Sequence, residues 1–163
     1  MKYLMKKIQI AVFFSFKLID KEHQEIKTRI NHNAPNCNSF QKVKNVLNDE
    51  SKGVYQGKIF VKNIAQKTDA YQLSKALILN DAAEFDAKPE LEIYADDVKC
   101  SHGSTSGSID LNSIHYLKSR GIPEKEAYQM LINGFLCEIL EKLSEGKIRN
   151  FLKEKLERQI NGY

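Results

Sequence analysis

The chain has 163 residues, of which 42% are hydrophobic and 28% are charged, so it is long enough to bury one sizeable core. Its 25 basic and 21 acidic residues are interspersed along the sequence, which gives a net charge of +4 without a basic block. This distribution argues against nucleic-acid binding, and the phosphate-binding pattern G-x-x-x-x-G-K-[ST] is absent, so any nucleotide chemistry requires a partner.

The N-terminus superficially imitates a signal peptide, because lysines at 2, 6 and 7 precede the apolar run 8–14. No small-residue cleavage site follows the run, and it is far too short to span a bilayer. The odd number of cysteines, three at irregular spacing, suits a reducing compartment better than a disulfide scaffold. We therefore expect no membrane attachment and a location in the cytoplasm, or in the stroma of a plastid or other organelle.

The first two thirds of the chain show short-strand patterning and little helical periodicity. Apolar runs and alternating segments predict the strands, and clusters of Asn, Asp, Pro and Ser mark the turns between them. The predicted strands are 8–19, 25–32, 41–47, 53–61, 69–78 and 90–101. The predicted turns are 33–36, 48–51, 80–81 and 95–97.

Many short strands without helices between them predict a sandwich, a barrel or a stacked β-solenoid. No exact repeat in the sequence decides among these three architectures. A solenoid can keep the same inward-facing shape without repeating its residues, so the lack of a repeat does not exclude it.

After about residue 110 the pattern becomes helical. Asp110 is placed to cap a first helix that begins at Leu111, and Gly121 is placed for the left-handed turn that ends it. Pro123 opens a longer helix that is predicted to end before Gly146, and a third helix is predicted over 147–160.

The predicted helices carry broad apolar faces, which admit two interpretations. One is a small bundle that packs on itself and on the sheet. The other is a surface that docks a partner, for which Leu131, Phe135 and Leu140 are the candidate residues, with charged residues at its rim.

Cys100 and His102 form the most conspicuous pair of chemically active side chains. On a strand, residues two apart lie on one face, about 6.5–7 Å apart along the backbone. A thiolate and an imidazole can hold iron or zinc, but such sites generally need about four donors, so two must come from elsewhere. The structural alternative is a small buried cysteine beside a hydrogen-bonded histidine.

A cysteine hydrolase is a further possibility, with His32 or His115 as the base. Nothing in the local sequence supports it, because the serine-rich segment 104–108 is more simply interpreted as a solvated loop than as an oxyanion hole. Cys37 and Cys137 are interpreted as packing residues.

The segments that carry a family resemblance are PELEIYADDVKCSHG (89–103), RINHNAPN (29–36), GVYQGKIFV (53–61), QKTDAYQ (66–72), YLKSRGIP (116–123) and the helix containing Gly134 and Phe135. Taken together, these segments closely resemble the SufB/SufD family of the SUF machinery for iron–sulfur cluster assembly, and its SufD branch in particular. The resemblance covers roughly residues 13–145.

The resemblance implies a mainly β fold with C-terminal helices: a right-handed parallel β-helix over 1–109, shortened at its N-terminus, and a small helical domain over 110–163. It also implies a scaffold and not an enzyme. The implied partners are a SufB-like paralogue and a SufC-like ATPase that binds the C-terminal helices and hydrolyses the nucleotide. A homodimer through the β-helix is a further possibility.

The resemblance also assigns roles to the pair of donors. His102 matches the position implicated in the family as a ligand of a nascent iron–sulfur cluster, held transiently and shared with a SufB cysteine. Cys100 belongs to the same motif and is the weaker candidate. Ser74 stands where SufB carries its sulfur-accepting cysteine, and Gly103 stands where SufB has an acidic residue, so both positions favour SufD.

One departure from the family is large, since the chain begins partway through the usual β-helix. Residues 1–12 could act as a cap, another chain could complete the solenoid, or the chain could be a truncated product. The alternative function is therefore a structural or interaction fragment of the family that binds no metal.

Overall fold

The computed structural model describes residues 8–142 and 145–161, apart from the side chains of 141–142 and 159–161. Parts of two predicted features lie outside the described residues. They are the lysines at 2, 6 and 7 of the N-terminal segment and, on the apolar faces of the predicted helices, Leu143 and the side chain of Ile160. The described strands are β1 (Gln9–Leu18), β2 (His23–His32), β3 (Asn38–Leu47), β4 (Lys52–Val61), β5 (Asp69–Ile78), β6 (Glu84–Ile93) and β7 (Lys99–Ser108). They are followed by α1 (Leu111–Ser119), α2 (Glu124–Cys137), a 3₁₀ turn (Glu138–Lys142) and α3 (Lys147–Asn161).

The strands form two parallel sheets, one in the order β1-β3-β5-β7 and the other in the order β2-β4-β6. Each strand pairs with the strand two places along the chain, in register over all ten residues. One coil takes about 30 residues, because Gln9 pairs with Asn38 and Asn38 pairs with Asp69. The chain is thus a β-solenoid of about three turns, which confirms the solenoid and removes the sandwich and the barrel.

Most strand predictions agree with the structure, and the segment 69–78 coincides with β5. The single strand predicted over 90–101 is wrong, because β6 ends at Ile93 and β7 begins at Lys99. The intervening corner is tied to the corner one coil earlier, since the amide of Lys67 donates to the carbonyl of Asp97 at 2.6 Å. The prediction of a solvated loop at 104–108 is also wrong, because these residues complete β7.

The corners of the solenoid stack on one another. Asp20 and Asp49 both adopt the left-handed conformation, with φ of 52° and 54°. The amide of Asp20 donates to a carboxylate oxygen of Asp49 at 3.1 Å, and the amide of Glu50 donates to the carbonyl of Asp20 at 2.9 Å. Short polar side chains tolerate this backbone conformation and satisfy its free amides, so the corners repeat without glycine.

The helices begin largely as predicted. Asp110 caps α1 by accepting from the amides of Asn112 and Ser113, and Gly121 has a φ of 86°. The prediction that the second helix extends to just before Gly146 is wrong, because α2 ends at Cys137 and tightens into the 3₁₀ turn. In the part of the chain that the structure describes, no helix combines the length and the apolar character needed to cross a membrane.

The helices pack on the outer face of the β3-β5 sheet. Val46 is fully buried against Ile132 and Leu136 of α2, while Leu77 contributes from β5. Each large aliphatic side chain buried in this way contributes about 1.5–3 kcal/mol. Helices and solenoid therefore share one continuous apolar contact. The division into domains at 109–110 stays a prediction.

A cluster of three charged side chains fixes the start of the 3₁₀ turn on the sheet. Lys42 and Lys44 point outward from β3 and are buried beneath the helices, Lys44 completely. Glu138 accepts from Lys42 at 2.5 Å and from Lys44, which also donates to the carbonyl of Phe135. Burial alone would raise the pKa of Glu138, but the two lysine hydrogen bonds outweigh it and lower that pKa to about 2.

The burial of His32 is expected to make the solenoid sensitive to acid. It is buried in the interior, with its Nε2 atom 2.9 Å from the hydroxyl of Ser39, and burial lowers its pKa. The unfolded chain then binds the proton more readily, so the stabilisation is complete above the unfolded pKa of about 6.5 and declines below it. We therefore expect the free energy of unfolding to be lower at pH 5.5 than at pH 7.5, by up to about 1.4 kcal/mol from His32.

Urea denaturation at the two pH values measures this difference. His32→Gln should flatten the pH dependence, while His115→Gln, on the exposed face of α1, should leave it unchanged. A His32→Gln variant that keeps the full pH dependence would show that other groups cause it.

Candidate functional site

The candidate site lies on β7, the last strand of its sheet among the described residues. Register places Cys100 beside Ala70 and His102 beside Gln72, both of which are buried side chains of the solenoid interior. Because side chains alternate along a strand, Cys100 and His102 share one face, as predicted, and the register shows that it is the inward face. In the described chain no further coil covers them, so the inward face of β7 is the open end of the interior.

The two donors differ in accessibility. His102 is exposed, while Cys100 is half-buried against the cluster formed by Ile59, Val61 and Ala70. Burial raises the pKa of the Cys100 thiol, a backbone hydrogen bond to Ala70 opposes this with a smaller effect, and the charge of Asp69 raises the pKa by less again. The thiol is therefore not activated on its own, since the thiolate is the form that binds metal or attacks.

The pair is an incomplete metal site within this chain. Among the described residues no group of three or more His, Cys, Asp or Glu side chains is arranged to hold a metal ion. Cys100 and His102 can supply a soft sulfur and a nitrogen donor, which suits iron and zinc. About two further donors must come from outside the described residues before the site can hold a tetrahedral centre.

The open edge of β7 is suited to receive another strand. The amide of Lys99 donates to the carbonyl of Thr68, which lies on the β5 side. The backbone amides of the odd-numbered residues of β7 therefore form hydrogen bonds with β5. The amides of the even-numbered residues, including His102, Ser104 and Ser106, then face the open edge. The strand has one charged residue, Lys99, and no proline, so it lacks the features that usually protect an exposed edge from pairing.

The residues proposed for a cysteine hydrolase are not arranged as one. His32 is engaged by Ser39, and His115 lies on the exposed side of α1. Ser104 shares a hydrogen bond of 2.9 Å with Ser74 across β7 and β5, which is a link between coils and not an oxyanion donor. Cys37 is buried and Cys137 is half-buried, in agreement with packing roles.

The three docking candidates lie against the chain itself. Leu140 is buried and lines an apolar groove of about 350 Å³ between β1 and α3, while Leu131 and Phe135 are half-buried. Phe135 also stacks over the ammonium of Lys44 at 4.3 Å. Ile148 and Phe151 on α3 are more accessible than these three candidates, at 74% and 56% exposed, and Leu111 on α1 is 67% exposed.

Comparison with known proteins identifies the family. The family model described as "SUF system FeS cluster assembly, SufBD core domain" matches residues 11–135, which include the whole of the Cys100/His102 strand. The chain belongs to the SufBD family. The matched residues run from β1 into α2, so the SufBD core spans both the solenoid and the helix packed on it.

Several known proteins resemble the chain over most of its length. The iron–sulfur cluster assembly protein SufD of Escherichia coli is 40% identical over 144 residues, which is 88% of this chain and 34% of that protein. A SufBD family protein of Synechocystis is 35% identical over 84% of this chain and 30% of that protein. The chloroplastic protein ABCI7 of Arabidopsis thaliana is 37% identical over 64% of this chain and 22% of its own length. The chain thus spans about a third or less of these relatives.

Proposed function

We propose that this chain acts as a SufD-like scaffold in SUF iron–sulfur cluster assembly, contributing half of a site for the nascent cluster. The observation that supports the proposal best is the placement of Cys100 and His102 on the open inward face of the last strand. A buried pair would serve packing, whereas an exposed imidazole beside a half-buried thiol can reach a group brought by another protein. The cluster is cargo, held transiently and passed on.

The missing donors are proposed to come from a SufB-like paralogue. Two donors here and about two from a facing strand would complete the set that iron sites need. Pairing along the open edge of β7 would bring the second strand within reach of His102, because neighbouring strands lie about 4.8 Å apart. A homodimer through the same edge would offer a second imidazole and thiol instead.

A SufC-like ATPase is proposed to dock on the C-terminal helices. Leu131, Phe135 and Leu140 remain the candidates from sequence, and the exposed Ile148 and Phe151 extend them. This chain then needs no nucleotide loop and no catalytic residue of its own. The proposed place of action is the cytoplasm or, in a plastid-containing organism, the stroma.

The proposal is tested by anaerobic cluster reconstitution on the complex of this chain with a SufB-like paralogue and a SufC-like ATPase. His102→Ala should lower the iron and sulfide bound per complex by more than half, because one ligand is removed and water replaces it. Cys100→Ala should have a smaller effect. The matched control is His115→Ala, which removes an exposed imidazole on α1, outside the motif.

The second candidate, an interaction fragment without metal, predicts a different pattern. Complex formation would then depend on the helices, and His102→Ala would assemble as much cluster as the parent chain. That equality would end the assignment of His102 as a ligand.

A further inference from the structure

A column of polar side chains runs inside the solenoid and ends at His102. Gln41 of β3, Gln72 of β5 and His102 of β7 occupy the same register position in three successive coils. All three point to the interior, where Gln41 and Gln72 are fully buried. Residues in register on neighbouring parallel strands are direct neighbours, so Gln72 is the interior residue next to His102 in this column, and no hydrogen bond joins the two side chains in the structure.

The amide of Gln72 is held in one orientation. Its nitrogen donates to the carbonyl of Gly57 at 3.2 Å, and its oxygen accepts from the nitrogen of Gln41 at 3.4 Å. A carbonyl oxygen has two lone pairs, so the Oε1 atom of Gln72 keeps one acceptor position after the contact with Gln41.

The space around this amide is full. A Cβ atom placed on Gly57 would lie 2.4 Å from the Nε2 atom of Gln72 and 2.4 Å from the hydroxyl of Tyr55. Glycine is therefore required at position 57 because the two polar side chains cross the interior there. This close fit fixes the position of Gln72 as well as its orientation.

The stability of the fold does not explain the glutamine pair. The Oε1 atom of Gln41 is buried without a hydrogen-bond partner. An unpaired buried acceptor costs about 1–3 kcal/mol, and two apolar side chains would avoid it. The pair thus places polar side chains, and not apolar ones, in the interior at the register position of His102.

We propose that Gln72 is a positioning residue for His102, accepting a hydrogen bond from the ring nitrogen that does not bind the cluster. This inference rests on the proposed function. A histidine that binds metal almost always donates its other ring N–H to an acceptor, which fixes the tautomer and the orientation of the ring. A neutral amide can supply this acceptor in the interior without the cost of burying a charge.

The test reads the tautomer of His102 in the full chain without metal. A long-range ¹H–¹⁵N spectrum of the ¹⁵N-labelled protein at pH 8.5, where a histidine ring is neutral, distinguishes the two ring nitrogens. His102→Ala assigns the signals. One tautomer should dominate in the parent chain by at least about tenfold, and Gln72→Met should reduce this ratio at least threefold.

Gly57→Ala provides a second variant that leaves the chemistry of Gln72 intact, because the added methyl displaces its amide. It should shift the tautomer ratio in the same direction. The matched control is Gly53→Ala on the same face of β4, where the methyl would meet Leu47 at 3.2 Å and Phe85 at 3.5 Å and would not touch Gln72.

Two mixed tautomers in the parent chain, or a ratio unchanged in Gln72→Met and Gly57→Ala, would overturn the inference. These outcomes are independent of the ligand role itself. A tautomer shift in both variants together with full cluster assembly by His102→Ala would instead contradict the proposed function and leave the hydrogen bond in place.

Discussion

Glu138→Ala is expected to destabilise the protein by about 2–4 kcal/mol, because it leaves the ammonium groups of Lys42 and Lys44 buried without a counter-charge. This value lies below the usual maximum for breaking a buried ion pair, since the Glu138 side chain is 34% exposed and is partly screened by water. Guanidinium denaturation followed by circular dichroism measures the change.

A matched control is Glu124→Ala, which breaks the exposed ion pair with Lys118 and should cost less than about 1 kcal/mol. Replacing all three charged residues together, as Lys42→Met, Lys44→Met and Glu138→Leu, should recover most of the loss, because an apolar cluster needs no counter-charge. Equal stability of Glu138→Ala and the parent chain would show that the lysines reach water when the carboxylate is removed.

The same carboxylate adds acid sensitivity in a lower range than His32. The pKa of Glu138 is about 2 in the folded state, below its ordinary value of 4.5. Its contribution is therefore complete above about pH 4.5 and is lost as the pH falls from there towards 2.

Ser106→Pro is expected to weaken association with a SufB-like partner by about 30–100-fold if the partner pairs along β7. The amide of Ser106 faces the open edge, so proline leaves the bonds to β5 intact but removes a donor and places its ring against the incoming strand. A lost donor that leaves a partner carbonyl unpaired costs about 1–3 kcal/mol, and each 1.4 kcal/mol is tenfold in affinity. Titration calorimetry of the purified pair measures the effect.

Two variants distinguish strand pairing from a general fault in β7. Ser106→Ala keeps the backbone amide and should bind as the parent chain does. Thr105→Pro removes an amide that bonds to β5, so it should lower the thermal midpoint, which Ser106→Pro should leave nearly unchanged. Normal binding by Ser106→Pro would place the interface away from this edge.

The strands could be predicted well from sequence because most of them alternate between buried and exposed residues. In β4, every second residue from Gly53 to Val61 is buried. The sequence predicts a turn at 95–97, where the corner lies, but Tyr94 and Val98 on either side favour strands, so the strand pattern continues through the turn. Hydrogen bonds from the coil before it hold this corner in place. Local sequence carries no record of those bonds.

The site was predictable in part for the same reason. The C-x-H spacing placed Cys100 and His102 on one face from the sequence alone, and the structure adds that this face is the open end of the interior. Gln72 and the cluster of Lys42, Lys44 and Glu138 gave no signal in the sequence. Their hydrogen-bond partners are 15 to 96 residues away, so the contacts depend on the register between coils and on the path of α2.

The most direct measurement of cluster binding by this chain is pulsed electron–nuclear double resonance on the reduced, cluster-loaded complex. The complex is assembled so that this chain alone carries ¹⁵N-histidine. A ligand role for His102 predicts a strong ¹⁵N coupling to the cluster that disappears in His102→Ala and persists in His115→Ala. A loaded complex that shows no such coupling, or keeps it in His102→Ala, would contradict the assignment of His102 as the cluster ligand.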